Sequence, residues 1–339
     1  MSDNIILKIE PLGFRWGVED PFLFCAHHKD DYPKGNEELG VDEESLKNRN
    51  IGNDFEIRDG FRMYHGKKVP GFPVHPHRGF ETVTIVLEGF VDHSDSHGAT
   101  GRYGEGDVQW MTAGSGLQHA EMFPLVNQDK ENPLHLFQVW LNLPKKDKFA
   151  DPYYKMLWSE DIPIIEDVDD NGRINTIRLI AGKYKEYNAL EPAPSSWAND
   201  ENNKVNIWII TMEPNAIFKI PKVSSTITRN LYYYNGDTLK INGNDVRVDN
   251  RFKLNGNENI ELINGDRESH MLLLEGEPIE EPVVAYGPFV MNTMEEIKQA
   301  YADYQDTQFG GWPWDRKDPV HTKEKIRFAK YSDGTVENR

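Results

Sequence analysis

Two short motifs place potential metal ligands two residues apart. His75 and His77 form the first pair, and His119 and Glu121 form the second. In a β-strand the side chains at i and i+2 leave the same face, about 6.5 Å apart along the strand, so each pair can reach one ion. Three imidazoles and one carboxylate suit Fe, Mn, Ni, Cu or Zn better than Ca or Mg, which prefer oxygen ligands. The residue types therefore predict a single transition-metal site.

A site of this composition is compatible with three kinds of chemistry. Four protein ligands can close a tetrahedral structural zinc site, but around an octahedral ion they leave two positions for a substrate oxygen and O₂. Such a centre can bind an enolate or a phenolate. It can also act as a redox switch whose surface changes with the oxidation state of the metal. The residues themselves leave these alternatives open.

Other polar residues near the motifs have weaker signals. Glu81 follows His77 by four residues, so in a regular strand it lies on the same face and could orient a ligand or serve as a spare one. An ordinary ion pair at the rim of the core, involving Glu81 or Arg78, is an equal alternative. Five histidines outside the two motifs are predicted to be ordinary hydrogen-bonded residues: His65, His93, His97, His135 and His270.

The strands that must position the two pairs can be inferred from their surroundings. The interval from His77 to His119 leaves room for several strands, so the pairs can lie on non-adjacent strands that face one barrel interior. Pro76 lacks an N–H group, which predicts an edge strand or a strand end. Gly114 and Gly116 precede His119 and would allow a tight bend that brings the second pair inward.

The β signals are strongest between residues 61 and 143. The β-branched run 81–87 lies between Gly79 and Gly89, and further strands are predicted at 91–94, 107–112 and 134–143. Short strands with glycine turns indicate an antiparallel barrel or jelly roll. The preceding stretch 29–53 is polar and charged, and it predicts a long loop with at most one helical turn.

A second β-rich region follows the charged link 144–148. Strands are predicted at 205–212, 230–234, 238–241 and 270–274, and a loop interrupts the region at 188–204. This region contains one histidine, His270, so only the first half carries the ligand motifs. The predicted organisation is an N-terminal barrel with the metal site at 1–145, a second barrel without ligands at 146–290, and a C-terminal helix and tail at 291–339.

The C-terminal part contains the clearest helical signal. Thr293 and Glu296 fit a capping box, and apolar residues then recur at helical spacing, which predicts a helix over 293–305. Trp312 and Trp314 follow in the tail. Their expected role is to dock an otherwise loose terminus, with covering of a pocket mouth as the alternative.

Composition limits the classes of function. The 339 residues fit two ordinary domains, and the net charge of −18 argues against direct nucleic-acid binding, although a protein partner is compatible with it. The single cysteine, Cys25, excludes an internal disulfide and a Cys-rich zinc module. No membrane-spanning run is present, and the start at Met1–Asn4 lacks the basic region of an export signal. We expect a soluble cytoplasmic protein, with the nucleus as a second compartment in a eukaryote.

Longer strings around the motifs carry a family resemblance. Residues 72–84 (FPVHPHRGFETVT), 106–114 (GDVQWMTAG) and 119–122 (HAEM) resemble the pirin family of the cupin superfamily, and the match extends to DPFL at 20–23 and GPFVMNT at 287–293. The resemblance implies an all-β bicupin, two cupin-type antiparallel β-barrels with a short C-terminal helix. It also implies one non-haem iron in the first barrel, held by His75, His77, His119 and Glu121.

The resemblance implies two functions of different classes. Some pirins are quercetin 2,3-dioxygenases, whereas eukaryotic pirins are described as nuclear, iron-dependent co-regulators that bind protein partners. Our leading prediction is an Fe-dependent ring-cleaving dioxygenase that takes a flavonol or a related enol or phenol together with O₂. Glu121 is predicted to be both a ligand and the catalytic group that accepts the substrate proton. Zn, Mn, Ni or Cu in place of iron, a redox-responsive regulator and a structural zinc barrel are the alternatives.

The sequence departs from the family pattern at two places. Val74 stands where an acidic residue is common before the first ligand, and the acidic stretch 29–53 is long. Because an insertion of this kind can alter access to the metal, it bears directly on the identity of the substrate.

Overall fold

A computed structural model describes residues 5–324 and 326–339, which form many strands and few helices. The sequence predicts no export signal at Met1–Asn4, and these four residues lie outside the described residues. Helices α1 (Glu43–Leu46) and α2 (Met294–Thr307) are accompanied by single 3₁₀ turns. In chain order the strands are β1 (Ile6–Pro11), β2 (Arg15–Trp16), β3 (Phe22–Tyr32), β4 (Gly71–His77), β5 (Phe80–Glu88), β6 (Phe90–Asp95), β7 (Thr100–Gly104), β8 (Val108–Thr112), β9 (Leu117–Met122), β10 (Asn132–Asn142), β11 (Tyr153–Leu157), β12 (Ile164–Val168), β13 (Ile174–Ala181), β14 (Lys183–Tyr184), β15 (Tyr187–Asn188), β16 (Asn206–Met212), β17 (Ile217–Ile220), β18 (Thr228–Asn235), β19 (Thr238–Ile241), β20 (Asn244–Arg247), β21 (Asn250–Asn255), β22 (Ile260–Asn264), β23 (Ser269–Gly276), β24 (Val284–Tyr286), β25 (Phe289–Met291), β26 (Phe328–Lys330) and β27 (Val336–Asn338).

The predicted strands are confirmed to within two residues at either end. They correspond to β5, β6, β8 and β10 in the first half and to β16, β18, β19 and β23 in the second. The β-branched segment that forms β5 is buried over most of its length, as expected for a strand in the middle of a sheet. The all-β prediction with a short C-terminal helix is therefore confirmed.

The chain divides into two compact units that do not follow the sequence order. One unit, here called the histidine-rich unit, comprises His27–Gln138, Leu143–Ser159 and Glu281–Arg339. The other, the apolar unit, comprises the chain up to Ala26, Val139–Asn142 and Glu160–Glu280. The domain boundaries proposed from the sequence stay a prediction.

The histidine-rich unit contains two sheets whose inner faces meet. One sheet has the strand order β27-β26-β7-β6-β9-β4, and the other contains β11, β8, β5, β10 and β3 in that order. Side chains of β5 and β10 contact Glu121 on β9, and Gln109 on β8 contacts His93 on β6. The space between these sheets is therefore lined by polar groups.

The apolar unit is also built from sheets whose side chains share one core. Its larger sheet has the order β1-β21-β18-β23-β16-β13-β12, and a smaller sheet has the order β17-β22-β19-β20. Trp208, Ile210, Leu231 and Leu273 from the larger sheet pack with Phe218 and other apolar residues of the smaller sheet. Apolar packing of this kind is the main source of stability for such a pair of sheets.

The polar stretch 29–53 is only partly a loop. Lys29–Tyr32 continue strand β3, so the predicted loop begins later than expected, and α1 supplies the predicted single helical turn. The strand continues because Asp30 is buried and is paired with Arg62, whose Nε lies 2.9 Å from its Oδ1. A charged residue that is paired in this way can occupy a strand interior.

Helix α2 begins where its capping box predicted. The backbone N–H of Glu296 donates to Thr293 Oγ1 (3.2 Å), and the N–H of Thr293 donates to Glu296 Oε2 (2.9 Å). Ile297 and Ala300 are the buried residues of the helix. The predicted helix over 293–305 is confirmed.

The C-terminal tail packs against the rest of the histidine-rich unit. Strand β26 pairs with β7, and the N–H of Val74 on β4 donates to the carbonyl of Lys317 (2.7 Å). Trp314 Nε1 donates to the carbonyl of Asp95 (2.8 Å), which agrees with the docking role expected for this residue. Among residues 5–324 and 326–339, no helix has the length and apolar character that crossing a membrane requires.

Candidate metal centre

The two ligand motifs lie on strands that pair directly with each other. In the antiparallel pair of β4 and β9, His75 stands opposite His119. The expectation of non-adjacent strands is therefore wrong, because β9 returns to a position between β6 and β4 in the same sheet. Strand β4 is the last in this sheet, so the edge position predicted from Pro76 is confirmed.

A bulge in β4 and a bend before β9 bring the two ligand pairs together. One extra residue between Phe72 and His75 forms a bulge in β4, which shifts the register so that His75 faces His119. Before β9, Gly114 and Gly116 have φ values of 48° and 128°, which confirms the predicted bend. A Cβ on Gly116 would lie 2.8 Å from the ring of Phe309, so a side chain would also clash there.

Three histidines form a compact cluster. One ring nitrogen from each of His75, His77 and His119 lies within 4.8 Å of the others. The ring centroids are 4.4 Å apart for His75 and His119 and 4.8 Å apart for His75 and His77. These separations allow three imidazoles to contact one metal ion.

Hydrogen bonds fix which nitrogen each ring offers. His75 Nδ1–H donates to the carbonyl of Pro73 (2.9 Å), and His77 Nδ1–H donates to the carbonyl of Pro288 (3.3 Å). This assignment leaves Nε2 of both rings with a lone pair, as metal-binding histidines require. Both ring nitrogens of His119 are buried and have no hydrogen-bond partner among the described residues. Since an unsatisfied buried polar group is costly, a bound metal would complete the bonding of His119.

Burial keeps the clustered imidazoles neutral. Loss of solvation lowers the pKa of His75 to about 4, against a smaller opposing effect of its bond to Pro73. The same cause lowers the pKa values of His77 and His119 well below their ordinary value. Neutral imidazole is the form that binds a metal, so the cluster fits a transition-metal ion.

Glu121 lies beside the cluster but is not one of its three members. Its Oε2 is 3.8 Å from His119 Nε2 and accepts a hydrogen bond from Gln138 Nε2 (2.8 Å). Its Oε1 accepts a weaker bond from Thr84 Oγ1 (3.3 Å). Burial raises the pKa of the Glu121 carboxyl, with smaller opposing effects of His93, Gln138 and Thr84. Its ligand and catalytic roles stay predictions.

Two other candidates from the sequence have different surroundings. Glu81 is fully buried and accepts a hydrogen bond from Thr112 Oγ1 (2.7 Å). Arg78 donates through Nη1 to Asp303 Oδ2 on α2 (2.6 Å) and through Nε to the carbonyl of Ser115 (2.7 Å). Arg78 therefore connects the end of β4 to helix α2.

His93 has a position that sequence reasoning missed. It is hydrogen bonded, as predicted, with Gln109 Nε2 at 3.2 Å from its Nδ1 and Asp95 Oδ2 at 3.3 Å from its Nε2. However, it also stands opposite Glu121 on the inner face, and its ring centroid is 5.6 Å from that of His119. The spacing of His93 and Asp95, two residues apart, was the available signal.

Comparison with known proteins agrees with this geometry. The Pirin family model matches residues 17–141, and the model of the Pirin C-terminal cupin domain matches residues 207–310. The cupin-type architecture predicted for both halves is thereby confirmed. Its sheets face one another, as described above, without closing into continuous barrels in the described residues.

Two relatives and one solved structure illustrate the similarity. A Pseudomonas aeruginosa protein with a provisional quercetin 2,3-dioxygenase name is 36% identical over 252 residues, which cover 70% of this chain and 79% of the relative. Human Pirin is 36% identical over 256 residues, which cover 74% of this chain and 81% of human Pirin. The crystal structure of a quercetin 2,3-dioxygenase from Acinetobacter baumannii has a TM-score of 0.70 and 26% identity, and the match covers 91% of this chain and 98% of that one.

Proposed function

Because this chain belongs to the pirin family, we propose that it is a metal-dependent dioxygenase of the quercetin 2,3-dioxygenase type. Its substrate would be a flavonol or a related enol or phenol, together with O₂. The observation that carries the proposal is the cluster of His75, His77 and His119, in which the buried nitrogens of His119 form no hydrogen bond with the described residues. The names of similar proteins support the reaction type.

His75, His77, His119 and Glu121 would hold the metal, which we propose to be iron. When bound, it would supply a Lewis acid for the enolic oxygen of the substrate and the redox chemistry that O₂ requires. The carbonyls of Pro73 and Pro288 hold the rings of His75 and His77 in place before binding. A site that is organised in advance loses less free energy when it is filled.

Glu121 would accept the proton of the substrate hydroxyl on a carboxylate oxygen. Its burial raises the pKa of this carboxyl, which makes the carboxylate a stronger base than an exposed one. Gln138 and Thr84 hold the two oxygens in fixed directions. Ligation weakens a carboxylate as a base, and the two hydrogen bonds also lower the pKa of Glu121, so burial must outweigh both effects for Glu121 to accept the proton.

Oxygen uptake with quercetin tests the proposed function. We expect iron-loaded protein to consume O₂ and the His75→Ala variant to lose this activity, while a His270→Ala variant retains it. His270 is the matched control because it lies on β23 in the apolar unit. Uptake no greater than that of His75→Ala would overturn the dioxygenase proposal.

Metal analysis tests the choice of iron separately. Protein purified without added metal is expected to contain about one iron per chain, given the single ligand set. Stoichiometric zinc, combined with a large loss of thermal stability in a chelator, would overturn iron and favour a structural site.

A further inference from the structure

The cluster of histidines is reached by solvent from one side. His75 is partly exposed, whereas His77 and His119 are buried. A substrate that approaches the cluster from the side of His75 would contact the groups that adjoin this residue. The chemistry of these neighbouring groups determines which kind of molecule binds well beside His75.

An aromatic rim, defined by Phe55, His65 and Phe72, adjoins His75. The Phe72 ring lies 6.3 Å from the His75 ring and 5.8 Å from the His65 ring, and Phe55 lies 5.0 Å from His65. The interplanar angles of these pairs are 61°, 77° and 74°, so the rings meet edge to face. Phe55 and Phe72 are partly exposed and His65 is exposed. Such a surface can accept a further aromatic ring by the same edge-to-face or stacked contacts.

The first part of the rim is anchored by a buried ion pair. Asp54, which precedes Phe55, accepts hydrogen bonds at Oδ2 from Arg49 Nη1 (3.0 Å) and from the N–H of Met63 (3.1 Å). Asp54 and Tyr64 also exchange two backbone hydrogen bonds of 2.8 Å. Asp54 precedes Phe55 and Tyr64 precedes His65, so these bonds fix the positions of Phe55 and His65 relative to each other.

The second part of the rim is held by two hydrogen bonds. His65 Nδ1 is 2.8 Å from the carbonyl of Gly52, and the N–H of His65 donates to the carbonyl of Gly71, the first residue of β4. Because its ring is fixed, His65 loses little conformational entropy when a ligand packs against it. The rim is therefore a preformed surface.

Phe55 and His65 come from the connection between β3 and β4. This connection contains most of the polar stretch in which the sequence departs from the family pattern. Phe72 joins the rim from the ligand-bearing strand itself.

We propose that the aromatic rim binds the planar ring system of the substrate and so selects aromatic enols over aliphatic ones. The inference rests on the proposed function, since it places the enolic oxygen of the same molecule at the metal. Phe55 and His65 are specificity-determining residues in this arrangement. They do not hold the metal.

Anaerobic binding measurements test this inference without turnover. Iron-loaded wild-type protein and the variants Phe55→Leu and His65→Ala are titrated with quercetin and with acetylacetone, an aliphatic enol, by calorimetry. Each variant is expected to bind quercetin about 2- to 10-fold more weakly, the range for one lost aromatic contact, and to bind acetylacetone unchanged. Phe55→Leu keeps an apolar side chain, so the fold is preserved. Ile57→Ala is the matched control, because Ile57 is exposed in the same connection but has no ring.

The results separate this inference from the proposed function. Metal content should be the same in all variants, and the KM for quercetin in oxygen uptake should rise with little change in kcat. Unchanged quercetin affinity in both rim variants, or an equal loss for acetylacetone, would overturn the aromatic rim as a specificity surface. Weaker quercetin binding in the rim variants, with no oxygen uptake by any protein, would support the rim and overturn only the dioxygenase.

Discussion

The two units use the same kind of scaffold but fill it with opposite side chains. Ten of the 11 histidines lie in the histidine-rich unit, where the inner faces carry His119, Glu121, His93 and Gln109. The core of the apolar unit is formed by residues such as Trp208 and Leu273. The apolar unit also buries polar groups, such as the ion pair of Arg229 and Glu275, but its core cluster is apolar.

This difference identifies the polar interior as a functional feature. Buried polar groups lower stability unless they are fully hydrogen bonded, and His119 is not. Buried polar atoms without a hydrogen bond also occur in the apolar unit, as in the side-chain amide of Asn230, but among the described residues the one cluster of metal-ligating groups lies in the histidine-rich unit. The nitrogens of His119 in that cluster carry a cost in stability. Binding of a metal would offset that cost, because ligation satisfies the nitrogens that burial leaves without partners.

The largest expected effect is the loss of metal binding in one unit only. We expect His119→Ala to lower metal affinity by more than about 100-fold, because groups that merely orient ligands already contribute about 10- to 100-fold. Competition with a chelator of known affinity measures the change. His270→Ala, in the apolar unit, should bind metal like the wild type. A loss of less than about 10-fold in His119→Ala would contradict the assignment of the cluster.

The next effect concerns the apolar core. Ile210 on β16 is fully buried, so Ile210→Ala is expected to lower the free energy of unfolding by about 2–5 kcal/mol through lost contacts and a residual cavity. Urea denaturation measures this change, and Ile164→Ala, at a half-exposed position, should stay within about 0.5 kcal/mol of the wild type. The metal stoichiometry of folded Ile210→Ala should be unchanged. A lost metal site in that variant would show that the two units are not independent in function.

The third effect is a loss of stability at acidic pH that we attribute to His28, and it is absent near pH 7. Loss of solvation, with a smaller effect of Arg62, lowers the pKa of His28 in the histidine-rich unit to about 3. The unfolded chain takes up this proton near pH 6.5 and the folded chain does not, so the free energy of unfolding falls as the pH falls below about 6.5. By pH 4 this loss reaches about 3 kcal/mol.

A His28→Phe variant isolates that contribution. Between pH 7 and pH 4 the variant should lose about 3 kcal/mol less stability than the wild type, with both proteins kept metal-free in a chelator. Denaturation at the two pH values gives the four free energies needed. Equal losses in the two proteins would show that His28 becomes protonated without unfolding.

Local features of the fold could be predicted from the sequence. The β-branched segment of β5 and the capping box at Thr293 depend on neighbouring residues, and both predictions are confirmed. The period of two in the ligand motifs is equally local, and His75 and His77 do lie in one cluster, while their role as ligands stays a prediction. The same local reasoning gave the edge position of Pro76. In each of these features the residues involved lie a few positions apart in the sequence. Over such distances the direction of a side chain and the preference of the backbone can be inferred from the residue types.

Features that depend on distant residues were not predictable. The direct pairing of β4 with β9 depends on the path of the intervening strands, and the bulge before His75 shifts the register by one residue. The polar stretch looked like a solvated loop because its charges have no partners nearby in the sequence, although Asp30 pairs with Arg62 in the structure. His93 was undervalued because its partner on the inner face, Glu121, is on another strand.

The docking of the C-terminal tail has a consequence for the time at which the site forms. The carbonyl that orients His77 lies 211 residues further along the chain, and β26 and β27 complete the ligand-bearing sheet. During synthesis these segments leave the ribosome after the three clustered histidines, so a nascent chain that already contains all three still lacks part of their support. Closing so long a loop also has an entropic cost that slows assembly. Metal loading in the cell is therefore expected to follow synthesis of the segment that contains Pro288, β26 and β27.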